Sequence, residues 1–362
     1  MGIDFWKYFW NIANPKCIVL IQKSILAGAF MPRFENFSVV AEDLNRCKAL
    51  RKDRLSETLF IIPCNDGEAK RACDIIKITG APYLYISKQK WGATLDKEWD
   101  RIPWDQYKNI KSVCIFEMPG LEKGMLGAMN SGLEGQIPAE AELLSRGLEV
   151  KIIDHHTYGW VDRYDSLSSL EQLCAWIGWD MSDLDIAIAV NDRSYIPGLR
   201  RMGLSQNEIR SIRRYDLLAQ GNSANYIERQ ISMARQAKSR LQILKRGDLW
   251  ILEDEKVNRV YLLQELALES PSGIAHILEY KRTKLGFSGS PAVVNVLLNL
   301  DFGEFGFKPG YANYGGGDET GSKFWGFKPA GKDEFVSIDC WGAIIKLVSS
   351  VLQGAKIGEN GS

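Results

Sequence analysis

The sequence predicts an α/β protein: a parallel, doubly wound domain joined by a helical linker to a smaller α/β C-terminal domain with a mixed sheet. Three observations predict it. Short apolar runs alternate with stretches of helical periodicity between Thr58 and Val190, the pattern of successive βαβ units. Those runs end repeatedly in acidic or imidazole side chains, and in an open parallel sheet such ends share the edge where ligands bind. From Gly247 onward the alternation gives way to shorter apolar runs and a glycine- and aromatic-rich segment.

Composition narrows the class. A chain of 362 residues is long enough for two domains, and 25% charged with 45% hydrophobic residues is ordinary for a globular protein. The net charge is zero, so no global field favours long duplex nucleic acid. Seven cysteines without a CxxC pair indicate neither a zinc knuckle nor a disulfide framework. Their odd number, with no secretory signal, points to a reducing, cytoplasmic setting. Cys17 to Phe30 is apolar but broken by Gln22 and Lys23, too short for a membrane span. Trp6, Tyr8, Phe9 and Trp10 fit a helix packed on the sheet better than an interfacial anchor.

Residues 1–56 read as an N-terminal helical extension with a charged connector and no chemistry of its own. The first domain is placed at 57–220. Thr58 to Pro63 is an apolar strand that breaks into Cys64-Asn65-Asp66-Gly67-Glu68. Ala69, Ala72, Cys73 and Ile76 then recur at helical spacing, and Gly80 closes the helix. Asp66 and Glu68 are two apart, so a tight turn can project both to one side, and two hard oxygen donors suit Mg²⁺ or Mn²⁺. The same pair would also serve as an ordinary acidic helix N-terminus. Pro82 to Ser87 is a second strand, followed by a polar, Trp-containing segment from Lys88 to Lys108. Ser112 to Phe116 is a third strand, with Glu117 at its end. Residues 121–136 read as a glycine-rich loop and Ala139 to Arg146 as a helix.

Val150 to Ile153 delivers Asp154-His155-His156 to a strand end, although the chain has only three histidines. After a connector and a helix over Leu170 to Trp176, Leu184 to Val190 reads as a further strand ending in Asn191-Asp192-Arg193. Four strand ends thus carry acidic or imidazole groups. Clustered carboxylates repel one another unless a cation joins them, and a pair of divalent ions is the natural partner.

Arg200, Arg201, Arg210, Arg213 and Arg214 form a basic stretch, and a linker helix, placed within 221–246, continues it with Arg229, Arg235 and Lys238. These groups suit either phosphate contacts or a solvated helix face. A second domain is placed at 247–353. Leu249 to Leu252 and Val257 to Leu263 suggest a hairpin, and Pro271 to Tyr280 a helix carrying a structural or surface His276. Ala292 to Leu300 and Phe335 to Ile338 suggest strands, and Ala343 to Leu352 a last helix. Gly315-Gly316-Gly317 allows close backbone approach to a ligand. Residues 354–362 are expected to be disordered.

Together these motifs resemble the DHH phosphoesterase superfamily over roughly residues 57–350. Its members include RecJ-type exonucleases, nanoRNA and cyclic-dinucleotide phosphodiesterases, exopolyphosphatases and family II pyrophosphatases. Asp154-His155-His156 matches the naming motif, Asp66-Gly67-Glu68 the acidic first motif, and Glu117 and Asp192 the single acids of the second and fourth. Gly315-Gly316-Gly317-Asp318 is similar to the family's Gly-Gly-Gly-His loop. The match is that of a divergent member: Ile62 stands where a histidine is usual, Cys64 where some nucleases carry an acid, Glu68 and Glu117 where aspartates are usual, and Asp318 in place of histidine.

The resemblance implies a metal-dependent hydrolase acting on phosphodiester or phosphomonoester bonds of short oligonucleotides or nucleotides through a metal-activated water. It implies one or two Mn²⁺ or Mg²⁺ ions on Asp66, Glu68, Glu117, His155 and Asp192. Asp154 would orient an imidazole, and His156 would contact phosphate or act as an acid. Gly315, Gly316, Gly317, Asp318, Lys323 and Arg193 would contact a phosphate-containing small molecule or a short single strand, with homodimer formation left open. The departures imply an alternative: a catalytically degraded scaffold that binds nucleotide, nucleic acid or a protein partner.

Overall fold

The computed structural model describes residues 55–89, 94–120, 139–156, 163–239, 249–253, 256–308, 311–317, 322–331 and 334–359. The expected N-terminal extension, save its last two residues, and the glycine-rich loop at 121–136 lie outside these residues, as does Asp318.

Two sheets organise the chain. The first has the order β2-β1-β3-β4 and is wholly parallel, with β1 at Thr58–Ile62, β2 at Tyr83–Ile86, β3 at Ser112–Phe116 and β4 at Glu149–Ile153. Every residue of β1 is buried, which is why Thr-Leu-Phe-Ile-Ile reads as an unbroken apolar run rather than an alternating one. Its side chains still divide by face. Leu59 and Ile61 join Val113, Ile115, Leu95 and Leu143 in one core, while Phe60 meets Trp176 edge-on at 6.0 Å on the other face. Both faces are therefore covered. Chain order reverses between β1 and β3, so a crevice opens there beyond the strands' C-terminal ends.

Helices on the Phe60 face support the segments that leave the strands. α1 (Gly67–Thr79) starts at an Asp66 N-cap and ends at Gly80, whose φ of 71° is the left-handed conformation that glycine tolerates. On the other face lies α2 (Ala139–Ser145), whose Leu143 joins the Leu59 core. α3 (Ser169–Ile177) and α4 (Asp183–Arg201) complete the Phe60 layer, each opened by a capping box, Ser168 with Glu171 and Ser182 with Asp185. α4 is a correction. The apolar run Leu184 to Val190 is helical, not a strand, because a short apolar run carries no period of its own and the Ser182–Asp185 box commits it to a helix. Asp192 therefore sits inside a helix rather than at a strand end.

Next come α5 (Gln206–Ala219) and α6 (Ala224–Lys238). The second sheet, order β5-β6-β7-β9-β8, is mixed: β5 (Leu249–Leu252) and β6 (His276–Lys281) pair parallel, and β6, β7 (Lys284–Gly289), β9 (Lys323–Lys328) and β8 (Ala312–Gly317) pair antiparallel. Five further expectations fail here. Val257 to Leu263 does not close a hairpin, since Asn258 caps a helix, α7 (Arg259–Glu269), that buries Tyr261, Leu262, Glu265 and Leu266 at helical spacing. The end of Pro271 to Tyr280 falls in strand β6 rather than a helix, where alternation sends Ile277 and Leu278 to opposite faces and both are buried. Ala292 to Leu298 is helical in α8 (Pro291–Leu298), where Pro291 occupies the first turn that needs no N–H donor. Phe335 to Ser337 is a connector, and a final helix α9 (Ile338–Glu359) continues past Gly354 where disorder was expected. The core of this half stacks Phe302 on Phe327 at 3.8 Å beside the fully buried Trp325.

Most of the basic stretch is spent between the two sheets. Arg210 of α5 and Arg235 of α6 both grip the buried Glu265 of α7, the latter at 2.9 Å. Arg200 donates to the Pro271 carbonyl at 3.3 Å and to that of Leu268, and Lys238 pairs with Glu269. These contacts join α4, α5 and α6 to α7, although the Arg235 side chain stays 57% exposed. Among the described residues, no helix is long and apolar enough to cross a membrane.

Candidate metal centre

The crevice between β1 and β3 collects ligand-type atoms from four segments. Asp66 is held by α1, since its Oδ1 accepts the Ala69 N–H at 2.9 Å and so faces the helix N-terminus. Its Oδ2 is buried and has no hydrogen-bond partner. Glu68 in the first turn behaves likewise. Oε1 accepts the Leu170 N–H of α3 at 2.9 Å, while Oε2 is buried, unpartnered and 3.8 Å from His155 Nε2.

Glu117 follows β3 with φ at 49°, a conformation that costs a non-glycine residue about 1 kcal/mol or more. Its N–H still donates to the Ile153 carbonyl at 3.0 Å, so sheet pairing continues while the side chain turns into the crevice. Oε2 accepts from Asn65 Nδ2 at 3.1 Å, and the unpartnered Oε1 lies 3.7 Å from His155 Nε2.

His155 and His156 follow β4, their rings 4.3 Å apart between centroids. His155 Nε2 lies 2.7 Å from Asp192 Oδ2, but the two lack hydrogen-bond alignment and both atoms are without a hydrogen-bond partner. We treat the contact as one between charges. Asp154 turns back on its own segment, where Oδ1 accepts the His156 N–H at 3.1 Å and lies 3.0 Å from His156 Nδ1. Its carbonyl accepts from Gln172 Nε2 at 2.8 Å. Glu117, His155, His156 and Asp192 each offer a ligand atom within 4.8 Å of the others.

The electrostatics match the crowding. Burial, then the charges of Glu117 and Asp192, push Asp66 well above the usual carboxylate range. Burial and the same neighbours do so for Glu68. Glu117 is raised mainly by burial. Burial would raise Asp192 too, but the adjacent His155 holds it below its ordinary value. Burial disfavours protonated imidazoles, yet Asp192 raises His155, and Asp154 with Glu117 and Asp192 push His156 up to about 10.

A divalent cation fits this donor set. Five buried atoms, Asp66 Oδ2, Glu68 Oε2, Glu117 Oε1, His155 Nε2 and Asp192 Oδ2, lack hydrogen-bond partners where unmet polar atoms are costly. They are carboxylate oxygens with one imidazole nitrogen, the mixture that suits Mn²⁺ and Mg²⁺. The 2.7 Å between His155 and Asp192 is close to the edge of a coordination octahedron with bonds of about 2.1 Å, roughly 3 Å.

Other expected residues lie elsewhere. Arg193 Nη2 donates to Glu171 Oε1 and Nη1 to the Ser166 carbonyl, both at 3.1 Å, tying α4 to the start of α3. Gly315 and Gly317 belong to strand β8 at the sheet edge rather than to a loop. There a side chain at Gly315 would press on the Phe324 carbonyl at 2.8 Å, and Gly317 has φ at 104°. Lys323 pairs with Gly317 in register, and its Nζ donates to Asn295 Oδ1 at 3.2 Å. His276 Nδ1 accepts the Ser290 N–H at 3.2 Å. Sequence reasoning passed over Asn65, whose amide holds Glu117 and whose Oδ1 is buried without a partner. Its only signal was its place beside Asp66.

No protein-family model matches the chain, and no curated protein does. Among solved structures, it is similar to an exonuclease RecJ bound to manganese, with TM-score 0.38 and 12% identity over 85% of this chain and 93% of that one. A RecJ from Thermus thermophilus in complex with Mn²⁺ gives TM-score 0.42 and 10% identity over 87% of this chain, which spans 55% of that structure. An uncharacterized protein from Helicobacter pylori gives TM-score 0.24 and 11% identity over 82% and 99%. Likenesses this distant show no activity for this chain.

Proposed function

We propose that the protein is a metal-dependent phosphoesterase that hydrolyses phosphodiester or phosphomonoester bonds of short oligonucleotides or nucleotides. One observation carries the reading: five buried ligand atoms from four segments, none with a hydrogen-bond partner, converge where the strand order reverses. Asp66, Glu68, Glu117, His155 and Asp192 would hold one or two Mn²⁺ or Mg²⁺ ions. A divalent cation there supplies Lewis acidity, making water more acidic and offsetting charge on a phosphoryl group.

The chain's own residues do the rest. Asp154 fixes the His156 ring through Nδ1, and His156 is assigned to contact phosphate or supply a proton to the leaving oxygen. Asn65 and the Leu170 N–H each bind one oxygen of Glu117 and Glu68, leaving the other oxygen for the ion. Gly315, Gly316, Gly317, Asp318 and Lys323 are assigned to contact the substrate end. A short substrate is favoured over duplex because the net charge is zero and the arginines of α4 to α6 are largely engaged within the fold.

Mn²⁺-loaded protein should hydrolyse a generic phosphodiester, and a screen of short oligonucleotides, cyclic dinucleotides and mononucleotides should yield its preferred class. His155→Ala should abolish turnover, and unaffected turnover would refute the assignment. Ile62 favours a second reading, because its buried side chain in β1 supplies no ligand to that edge of the centre. A scaffold degraded in this way would bind nucleotide, nucleic acid or a protein partner without hydrolysing any member of the screen.

A further inference from the structure

We propose that Arg213 and Asp216, a buried ion pair on α5, are positioning residues that brace the two separate arms of the centre. The inference rests on reading the cluster as a metal centre, and it adds residues that neither arm contains.

The first arm is the turn of Asp66, Gly67 and Glu68. Asp216 Oδ1 accepts the Gly67 N–H at 2.9 Å, 149 residues away in sequence. The turn also rests directly on α5, for a Cβ at Gly67 would stand 3.1 Å from Asp216 Cα and 3.2 Å from Tyr215 Cδ1. That contact accounts for the glycine between two ligand residues. The second arm is α4. Arg213 Nη1 donates to Asp216 Oδ2 at 2.7 Å and to Asn191 Oδ1 at 3.2 Å, the residue just before Asp192. The same guanidinium lies over the Tyr195 ring, 4.2 Å from its centroid. Tyr195 has φ at 53° and ψ at −146°, which breaks α4 shortly after Asp192 and ahead of Pro197. One guanidinium thus grips α4 on both sides of Asp192, while its carboxylate partner grips the turn that carries Asp66 and Glu68.

Stability alone is a weak reason for such a pair. Two charges only 4% and 7% exposed pay heavily for desolvation, and apolar replacements of buried ion pairs are often as stable. What apolar replacements cannot do is hydrogen-bond an N–H of one arm and an amide of the other at fixed distances. Ligands on two unconnected segments need that registration, because outer contacts of this kind set metal affinity.

The test measures Mn²⁺ binding by calorimetry and the spectrum of bound Mn²⁺ by electron paramagnetic resonance, alongside melting of the metal-free proteins. Asp216→Ala should weaken Mn²⁺ binding roughly ten- to a hundred-fold and broaden the spectrum. Asp216→Asn keeps an oxygen for the Gly67 N–H and should recover part of the loss. Gly67→Ala leaves the ion pair intact but pushes the turn off α5, so it should weaken binding as well, and with Asp216→Asn it decides the matter if Asp216→Ala fails to fold. Folded variants that bind Mn²⁺ with wild-type affinity and spectrum, whatever their melting temperatures, would overturn the brace. A wild-type protein that takes up no Mn²⁺ would overturn the metal-centre reading before any variant is compared.

Discussion

Glu117→Gln should stabilise the metal-free protein while removing its response to metal. The substitution keeps the shape of the side chain, and its amide oxygen can still accept from Asn65 Nδ2, now 3.1 Å from Oε2. It removes one of several buried negative charges. Ligand atoms of Glu117 and Asp192 lie within 4.8 Å of each other, where two unit charges repel by about 3.5 kcal/mol at an effective dielectric constant of 20. The His156 and His155 imidazoles, the latter 3.7 Å away, offset that repulsion, so the substitution chiefly relieves the cost of burying the charge. A net gain of about 1–2 kcal/mol remains, or roughly 1–3 °C in melting temperature for a chain of this size. Saturating Mn²⁺ at a hundred times Kd should add about 2.7 kcal/mol to the wild type, and almost nothing to the variant. Thermal melting with and without Mn²⁺ reads both effects at neutral pH. A variant that melts lower than the wild type without metal, yet gains as much from Mn²⁺, would refute the reasoning.

Other contacts give three more expected outcomes. Burial would raise the Glu265 carboxyl, but hydrogen bonds from Arg210 and Arg235 hold it below the usual range, so its stabilisation is present above the ordinary carboxylate pKa and lost as pH falls through the lowered value. Glu265→Gln should therefore cost about 1–3 kcal/mol at pH 7 in denaturant unfolding, and the gap to wild type should close in acid. Ser182→Ala removes the acceptor for the Asp185 N–H and should cost about 1 kcal/mol in the same assay. Phe302→Ala empties a fully buried site stacked on Phe327 and should cost about 3–5 kcal/mol.

The first sheet was legible because burial on both faces makes β1 and β3 continuous apolar runs, while the edge strand β4 alternates exposed Glu149 and Lys151 with apolar residues, and each of the three is closed by a polar group at the crevice. Asp66, Glu117 and Asp154 could be placed at strand ends from that pattern alone. Leu184 to Val190 misled because an apolar run of that length suits a strand or a helix equally. The Ser182-Asp183-Leu184-Asp185 capping box was the local signal that distinguished them. In the second half, Pro291 and Asn258 gave comparable cues, since each begins a helix where a strand was expected. The fate of the basic stretch was not legible. Glu265 lies 55 residues from Arg210 and 30 from Arg235, and nothing local announces such a pairing. The same holds for Asp216, which reaches Gly67 only because α5 packs on the start of α1. Supporting contacts of a centre depend on tertiary packing, whereas its ligands announce themselves by residue type and by their place after a strand.

Anomalous diffraction at the manganese edge from crystals equilibrated with Mn²⁺ tests the central claim most directly. We expect a peak bounded by Glu68, Glu117, His155 and Asp192, with ligand distances of about 2.0–2.3 Å, and its loss in His155→Ala. Density with no anomalous peak in that crevice at saturating Mn²⁺ would contradict the account.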